Sequence, residues 1–255
     1  KFIKRIMAES NCNKGCCPIG SEPALASDYQ AKGAESILGD LPIYTIGEGK
    51  SAVIVSYDVY GFNGGRVRLI CDQLAEQGYY VILPDFYRGD AWDPETAITM
   101  ELTTFVQKFA WEKLKVDFDE KLLPHLAEKG IEKVGLVGFC WGAWLNFHAM
   151  HNEKFTCGAN LHPSIRLENC FGSNEVELAK GVKCPQLVFA ASNDPDNVKG
   201  DGEVLQVLKA APFGDKCVFQ EFPEVNHGFV TRGDVSTPEV ARDVKIAMEG
   251  VVAFF

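Results

Sequence analysis

From Ser51 onward the chain switches repeatedly between two hydrophobic periods. Ser51–Tyr57 is a β-branched apolar run without polar alternation, the pattern of a strand buried on both faces. Arg66 to Gln77 has helical spacing and ends at Gly78, a C-cap signal. Tyr79–Leu83 returns to strand and is closed by Pro84-Asp85. Between Asp93 and Gly130 the period is helical. Leu102, Phe105, Val106 and Phe109 share one face, and Leu114, Phe118, Leu122 and Leu126 another, with Pro124 expected to distort the second helix. A strand at Val134–Val137 and a helix from Trp141 follow. Further strands are expected at Cys157–Leu161, Pro185–Ala190 and Cys217–Glu221, and an amphipathic helix at Pro238–Phe255. Strands alternating with helices predict an α/β fold with a mostly parallel central sheet and helices on both faces. Before Ser51 only one short strand is expected, near Tyr44–Ile46. The division read from this pattern is an N-terminal arm, residues 1–42, packed on a single domain, residues 43–255.

Composition narrows the classes. The 255 residues suit one large α/β domain. A net charge of −10, from 25 basic and 35 acidic residues, argues against nucleic-acid binding and against attraction to anionic membranes. No apolar run approaches the ~18 residues of a membrane helix. Lys1–Ile6 is basic but lacks the apolar core of a secretory signal, and Met7 reads equally well as a translation start. The nine cysteines are odd in number and scattered, several in expected core elements. That favours free thiols in a reducing, cytoplasmic compartment over a disulfide framework. Cys12, Cys16 and Cys17 cluster but lack a second ligand pair, so no metal is expected.

The chemistry concentrates in Gly138-Phe139-Cys140-Trp141-Gly142. A cysteine between a buried strand and a helix, with glycines two positions away on each side, is the nucleophile-elbow pattern with Cys in place of Ser. The helix N-terminus behind the sulfur favours thiolate and any oxyanion beside it. Asp194 and His227 each follow a later strand, in the order nucleophile, acid, histidine, which is the order of the α/β-hydrolase triad. A thiol of ordinary pKa is mostly protonated at neutral pH, so His227 is expected to take its proton, with Asp194 fixing the imidazole. The amides of Trp141 and Val59 are the expected oxyanion donors. Asp196 competes with Asp194 for the acid role. Asp85 reads as a turn residue. His125, His148, His151 and His162 read as surface or packing residues.

These residues resemble the dienelactone hydrolase (carboxymethylenebutenolidase) family of α/β-hydrolases, especially its eukaryotic branch. The likeness spans about residues 12–255. It is carried by Cys16-Cys17-Pro18-Ile19-Gly20, Asp58-Val59-Tyr60-Gly61, Gly78-Tyr79 and Pro84-Asp85-Phe86-Tyr87. Trp92-Asp93-Pro94, the Gly138–Gly142 elbow, Asn193-Asp194 and His227-Gly228-Phe229-Val230 complete it. The resemblance implies a cofactor-free hydrolase that opens lactones or cleaves small esters through an acyl-thioester on Cys140. It implies an acid before the oxyanion loop, Asp58, that helps activate the thiol; bacterial members carry Glu there. It also implies arginines that bind an anionic substrate. Arg88 and Arg232 stand near those positions, each one residue off the bacterial spacing. Tyr57, Tyr60, Phe62, Tyr87 and Trp141 are candidates for an aromatic wall, Tyr60 and Tyr87 foremost among them for substrate contact.

The expected partner is therefore a small ester or lactone, with the protein a monomer or weak homodimer. Amides are poor candidates, because thiolate leaves a tetrahedral intermediate more readily than an amine does. A general carboxylesterase or thioesterase is the alternative among enzymes. A non-catalytic binding or redox-sensing role is the alternative outside them, and a complete triad argues against it.

Overall fold

The computed structural model describes residues 17–93 and 101–255. Cys12, Cys16, Met7 and Pro94 lie outside them. Eight strands form one sheet in the order β1-β2-β4-β3-β5-β6-β7-β8. They are β1 (Ala34–Leu38), β2 (Leu41–Ile46), β3 (Ser51–Ser56), β4 (Tyr80–Pro84), β5 (Lys133–Phe139), β6 (Phe155–Leu161), β7 (Gln186–Ala191) and β8 (Val218–Phe222). From β4 across to β8 every pairing is parallel. The β1–β2 and β2–β4 pairings are antiparallel. The core strands are those whose runs are mostly apolar: Ala52–Tyr57, with Ser56 its one small polar residue, and Tyr80–Pro84 are buried throughout, and β5 is buried beyond Lys133.

The described α-helices are α1 (Val67–Glu76), α2 (Leu102–Gln107), α3 (Trp111–Val116), α4 (Leu123–Glu128), α5 (Trp141–Ala149), α6 (Glu175–Lys180), α7 (Glu203–Ala210), α8 (Phe229–Arg232) and α9 (Pro238–Phe254). α1 packs on β2 and β4, α5 on β3, β5 and β6, and α9 on β6 and β7. None of them is long and apolar enough to cross a membrane. The distortion expected at Pro124 takes a definite form. α3 runs into a π-helical segment, Asp117–Leu122, before α4 begins. A proline ring clashes with the carbonyl four residues back, and widening the preceding turn relieves it.

Two expectations need adjusting. The arm–domain division at residues 42 and 43 runs through β2, and β1 before it pairs with β2 in the same sheet. Cys71, Cys157, Cys184 and Cys217 carry free thiols, but Cys170 is disulfide-bonded. The expectation of free thiols throughout is therefore corrected at that position.

The strand order reverses between β3 and β5: the chain goes from β3 outward to β4, then crosses back to lay β5 on the other side of β3. Open α/β sheets bind their ligands at such a switch point, outside the carboxyl ends of the strands. The loops that meet there are Tyr57–Val59 after β3 and Cys140 after β5.

Candidate active site

Cys140 joins β5 to α5 with φ 53° and ψ −113°, a backbone conformation that costs energy for a residue with a Cβ. The surroundings hold it there. Its amide donates to Leu161 O (3.2 Å), and its carbonyl accepts from Ala143 N and Ser164 N, each at 3.1 Å. Gly142 makes the close approach possible: a Cβ there would lie 2.1 Å from Ser56 O on β3. Trp141 is the first residue of α5, where backbone N–H groups have no acceptor within the helix. Val59, fully buried, follows β3 across the switch point.

Asp194 and His227 meet as their strands predict. Asp194 lies in a tight turn after β7, where its Oδ2 accepts from Ala191 N at 2.7 Å. Its Oδ1 accepts from His227 Nδ1 at 2.6 Å, and both side chains are almost completely buried. Asn193 adds a second hold, accepting from His227 N at 2.6 Å. Asp196 points to solvent beside Lys199. With Nδ1 committed to Asp194, Nε2 is the ring nitrogen left for the sulfur side. A ring nitrogen of His227, Cys140 Sγ and Cys17 Sγ lie within 4.8 Å of one another. Burial opposes a charge on His227, but the adjacent sulfur of Cys140 and the Asp194 carboxylate outweigh it and hold the imidazole pKa well above its ordinary value.

The charged residues expected around the thiol have separate fates. Asp58 Oδ2 pairs with Arg232 Nη1 and accepts from Thr231 Oγ1 at 2.7 Å, while Oδ1 accepts from Tyr60 N at 2.9 Å. Arg232 is buried. Its Nε donates to Glu22 O (3.1 Å), its Cζ lies 4.7 Å from the centre of the Tyr60 ring, and its Nη2 has no hydrogen-bond partner among the described residues. Gly228 makes room for it, since a Cβ there would sit 2.3 Å from Nη2. Arg88 is used differently. It forms two hydrogen bonds to Asp117, at 2.8 and 3.1 Å, and a third to Asp40 at 3.0 Å. The geometry thus sets it in a structural clamp, away from the anion contact expected of it.

Tyr87 is buried among Phe109 (ring centres 4.3 Å apart), Trp141 (4.5 Å) and Tyr57 (4.9 Å). Asp85 accepts from Tyr57 Oη and from Gly89 N, as a turn residue does. Tyr60 is only half-buried and flanks the site.

Three residues near the sulfur carried no catalytic expectation. Ser164 Oγ donates to Cys140 Sγ at 3.3 Å. His162 is fully buried with φ 39°, its ring 5.0 Å from that of His227 and both its nitrogens without hydrogen-bond partners among the described residues. Burial drives its pKa well below the ordinary value, which favours its neutral form beside His227. Cys17 Sγ lies 3.8 Å from Cys140 Sγ. Ser164 and His162 directly follow β6, so their place at a strand's carboxyl end was the signal available in the sequence. Cys17, Cys140 and His227 are also the group among the described residues with ligand spacing for a soft metal.

The chain matches the profile of the dienelactone hydrolase family over residues 44–255. An AIM2 family protein of Schizosaccharomyces pombe is 30% identical over 257 residues, covering 94% of this chain and 97% of that protein. A carboxymethylenebutenolidase homologue of Xenopus tropicalis is 29% identical, covering 86% of this chain and 87% of its own length. Among solved structures, the dienelactone hydrolase of Anabaena variabilis superposes with a TM-score of 0.60 at 15% identity, over 86% of this chain and 95% of that one. That likeness shows the α/β-hydrolase fold.

Proposed function

Because the chain belongs to the dienelactone hydrolase family and is a hydrolase of that family, we propose that it opens small lactones or cleaves small carboxylic esters through an acyl-thioester on Cys140. The observation that carries this reading is the strained Cys140 beside a histidine whose Nδ1 is held 2.6 Å from a buried carboxylate. The raised His227 pKa favours a resting pair of thiolate and imidazolium, and the Ser164 hydroxyl adds a donor to the sulfur.

The thiolate attacks the carbonyl carbon, and the carbonyl electron pair moves to oxygen, where the Trp141 and Val59 amides receive it. Collapse expels the alkoxide, which takes the proton from His227 and leaves as an alcohol; in a lactone it stays attached and the ring opens. The imidazole, neutral once it has given up that proton, then deprotonates a water that attacks the thioester. Collapse of the second tetrahedral species returns the thiolate and releases the acid. Asp194 stabilises the imidazolium at both stages. Arg232 is the anion contact in this reading, because Nη2 is buried and unfilled while Arg88 is consumed by two carboxylates. Asp58 acts as the counter-ion that orients Arg232. Tyr60, stacked on that guanidinium, lines the same side.

Brief mixing with an activated aryl ester followed by peptide mass spectrometry tests the assignment. Acyl label is expected on Cys140, with none accumulating in Cys140→Ser treated for the same time at other cysteines. Label on other thiols with Cys140 unmodified would sink it.

A further inference from the structure

The N-terminal arm touches the triad itself. Glu22 N donates to His227 O at 2.8 Å, and Glu22 O accepts from Arg232 Nε. Asn193 Nδ2, on the turn that carries Asp194, donates to Ile19 O at 3.1 Å. A turn at Pro18–Ser21, closed by Ser21 N to Pro18 O, directs the preceding residue inward. That residue is Cys17, whose sulfur lies 3.8 Å from Cys140 Sγ. A second thiol against the nucleophile has no part in ester hydrolysis.

We propose that Cys17 and Cys140 form a reversible thiol–disulfide site, in which a hydroperoxide oxidises the nucleophile and Cys17 captures it, latching the arm over the active site. The proposal rests on the reading of Cys140 as an activated thiol. A disulfide needs the sulfurs at about 2.05 Å, so the arm, held next to Cys17 by single hydrogen bonds, has to move by less than the width of an atom. Cys140 stays fixed in its elbow.

The chemistry balances. The Cys140 thiolate attacks the terminal oxygen of the hydroperoxide, the O–O bond breaks, and the leaving alkoxide takes a proton from His227. Cys140 is then a sulfenic acid. The Cys17 sulfur attacks the Cys140 sulfur, forming the S–S bond and breaking S–O, and the hydroxide departs as water with the Cys17 proton. Two thiols have given two electrons to the peroxide. A small thiol reverses the step by exchange.

The remaining free thiols among the described residues are poor competitors. Burial raises the pKa of Cys71, Cys157 and Cys217, and pushes Cys184 up to about 12. Among the described residues Cys17 is the thiol placed at this distance, and a sulfenic acid that it does not capture is expected to proceed to sulfinic acid, which small thiols do not repair.

The test treats the reduced full-length protein with hydrogen peroxide, blocks remaining thiols, and maps peptides without reduction, with fragmentation that separates Cys16 from Cys17. A Cys17–Cys140 linked peptide is expected, with ester hydrolysis lost in parallel and restored by dithiothreitol. Cys17→Ser should lose hydrolysis under peroxide without recovery, with Cys140 found as sulfinic or sulfonic acid. A linkage of Cys140 to Cys16 or another cysteine would overturn the proposal. So would Cys140 sulfinic acid in the unsubstituted protein with no linked peptide, or equal recovery in Cys17→Ser. The mapping needs no turnover, so a protein that forms the linkage but takes no acyl label at Cys140 would refute the hydrolase reading and leave this one standing.

Discussion

Two charged clusters sit at the carboxyl ends of the sheet, and they are built on opposite plans. The inner one holds Cys140, His227, Asp194, Arg232 and Asp58, every one of them buried. Its hydrogen bonding is incomplete at Arg232 Nη2. The outer one joins Arg88 and Lys121 to Asp117 and Asp40. Its arginine is a third exposed and is matched to two carboxylates, and Lys121 adds further contacts to both. A buried cation with an unfilled donor keeps binding capacity in reserve at a cost in desolvation. A partly exposed cation with its donors matched holds loops together and has little left for a ligand. Arg88 and Arg232 look equivalent in the sequence, and their surroundings separate them.

If that contrast is right, the largest effect belongs to the inner carboxylate. Asp194→Asn is expected to lower kcat/KM for an aryl ester by roughly 10³–10⁴-fold, since the wrong tautomer is then favoured and the imidazolium loses its counter-charge. Asp117→Asn in the outer cluster should stay within about threefold of the unsubstituted rate, well inside the ordinary range for a residue outside the chemistry. Comparable losses in the two variants, measured on folded protein, would erase the distinction between the clusters.

A smaller effect separates the arginines. Removing Arg232 alone would strand the buried Asp58 charge, so the informative variant is the double substitution Arg232→Met with Asp58→Asn. The rate on a carboxylate-bearing ester, relative to a neutral ester of similar size, should fall by about 10–100-fold, the worth of one charged hydrogen bond. Arg88→Met should leave that ratio unchanged. It should instead lower unfolding stability by about 1–2 kcal/mol, because buried Asp117 then keeps only Lys121 among its described ion-pair partners. A ratio that falls with Arg88→Met and holds in the double variant would reverse the assignment.

The inner cluster was more legible in the sequence than the outer one. Cys140 and Asp194 each follow an apolar run that reads as a buried strand, His227 follows the mostly exposed edge strand β8, and chemistry placed at strand ends in a parallel sheet converges. Asp58 stands at the end of β3, but its pairing with Arg232 is not legible there, because the two are brought together by helix α8 packing on the loop after β3 and on Arg66. Arg88 and Asp117 lie on different elements, and the π-helical segment that buries Asp117 follows from packing around Pro124. β1 was missed for another reason. Its residues are almost all exposed, Ile37 included at 71%, so no alternating core face announces it. In the sequence Cys17 is one member of a cysteine cluster, and only the path of the arm puts it against the nucleophile.

The smallest effects come from pH, and they too should split the clusters. His227 is held above its unfolded value of about 6.5. The native state therefore binds its proton more tightly, and the stabilisation is fully present below about pH 6.5 and lost as pH rises through the raised folded value. Asp40 is shifted the other way: hydrogen bonds from Lys121 and then Arg88 hold its carboxyl well below the usual carboxylate range. Its contribution is present above about pH 4 and lost as pH falls through the depressed value. Because Asp40 is exposed, salt screens it, whereas the buried His227 pair is screened much less. Urea unfolding across pH, at low and high salt, should then show a salt-insensitive alkaline loss that is reduced in Cys140→Ser, where the sulfur facing His227 is gone. It should also show a weak acid-side loss that disappears in high salt and in Asp40→Asn. An alkaline loss unchanged in Cys140→Ser would mean that Asp194 alone holds the imidazole charged, and the inner cluster would then stand without a resting thiolate.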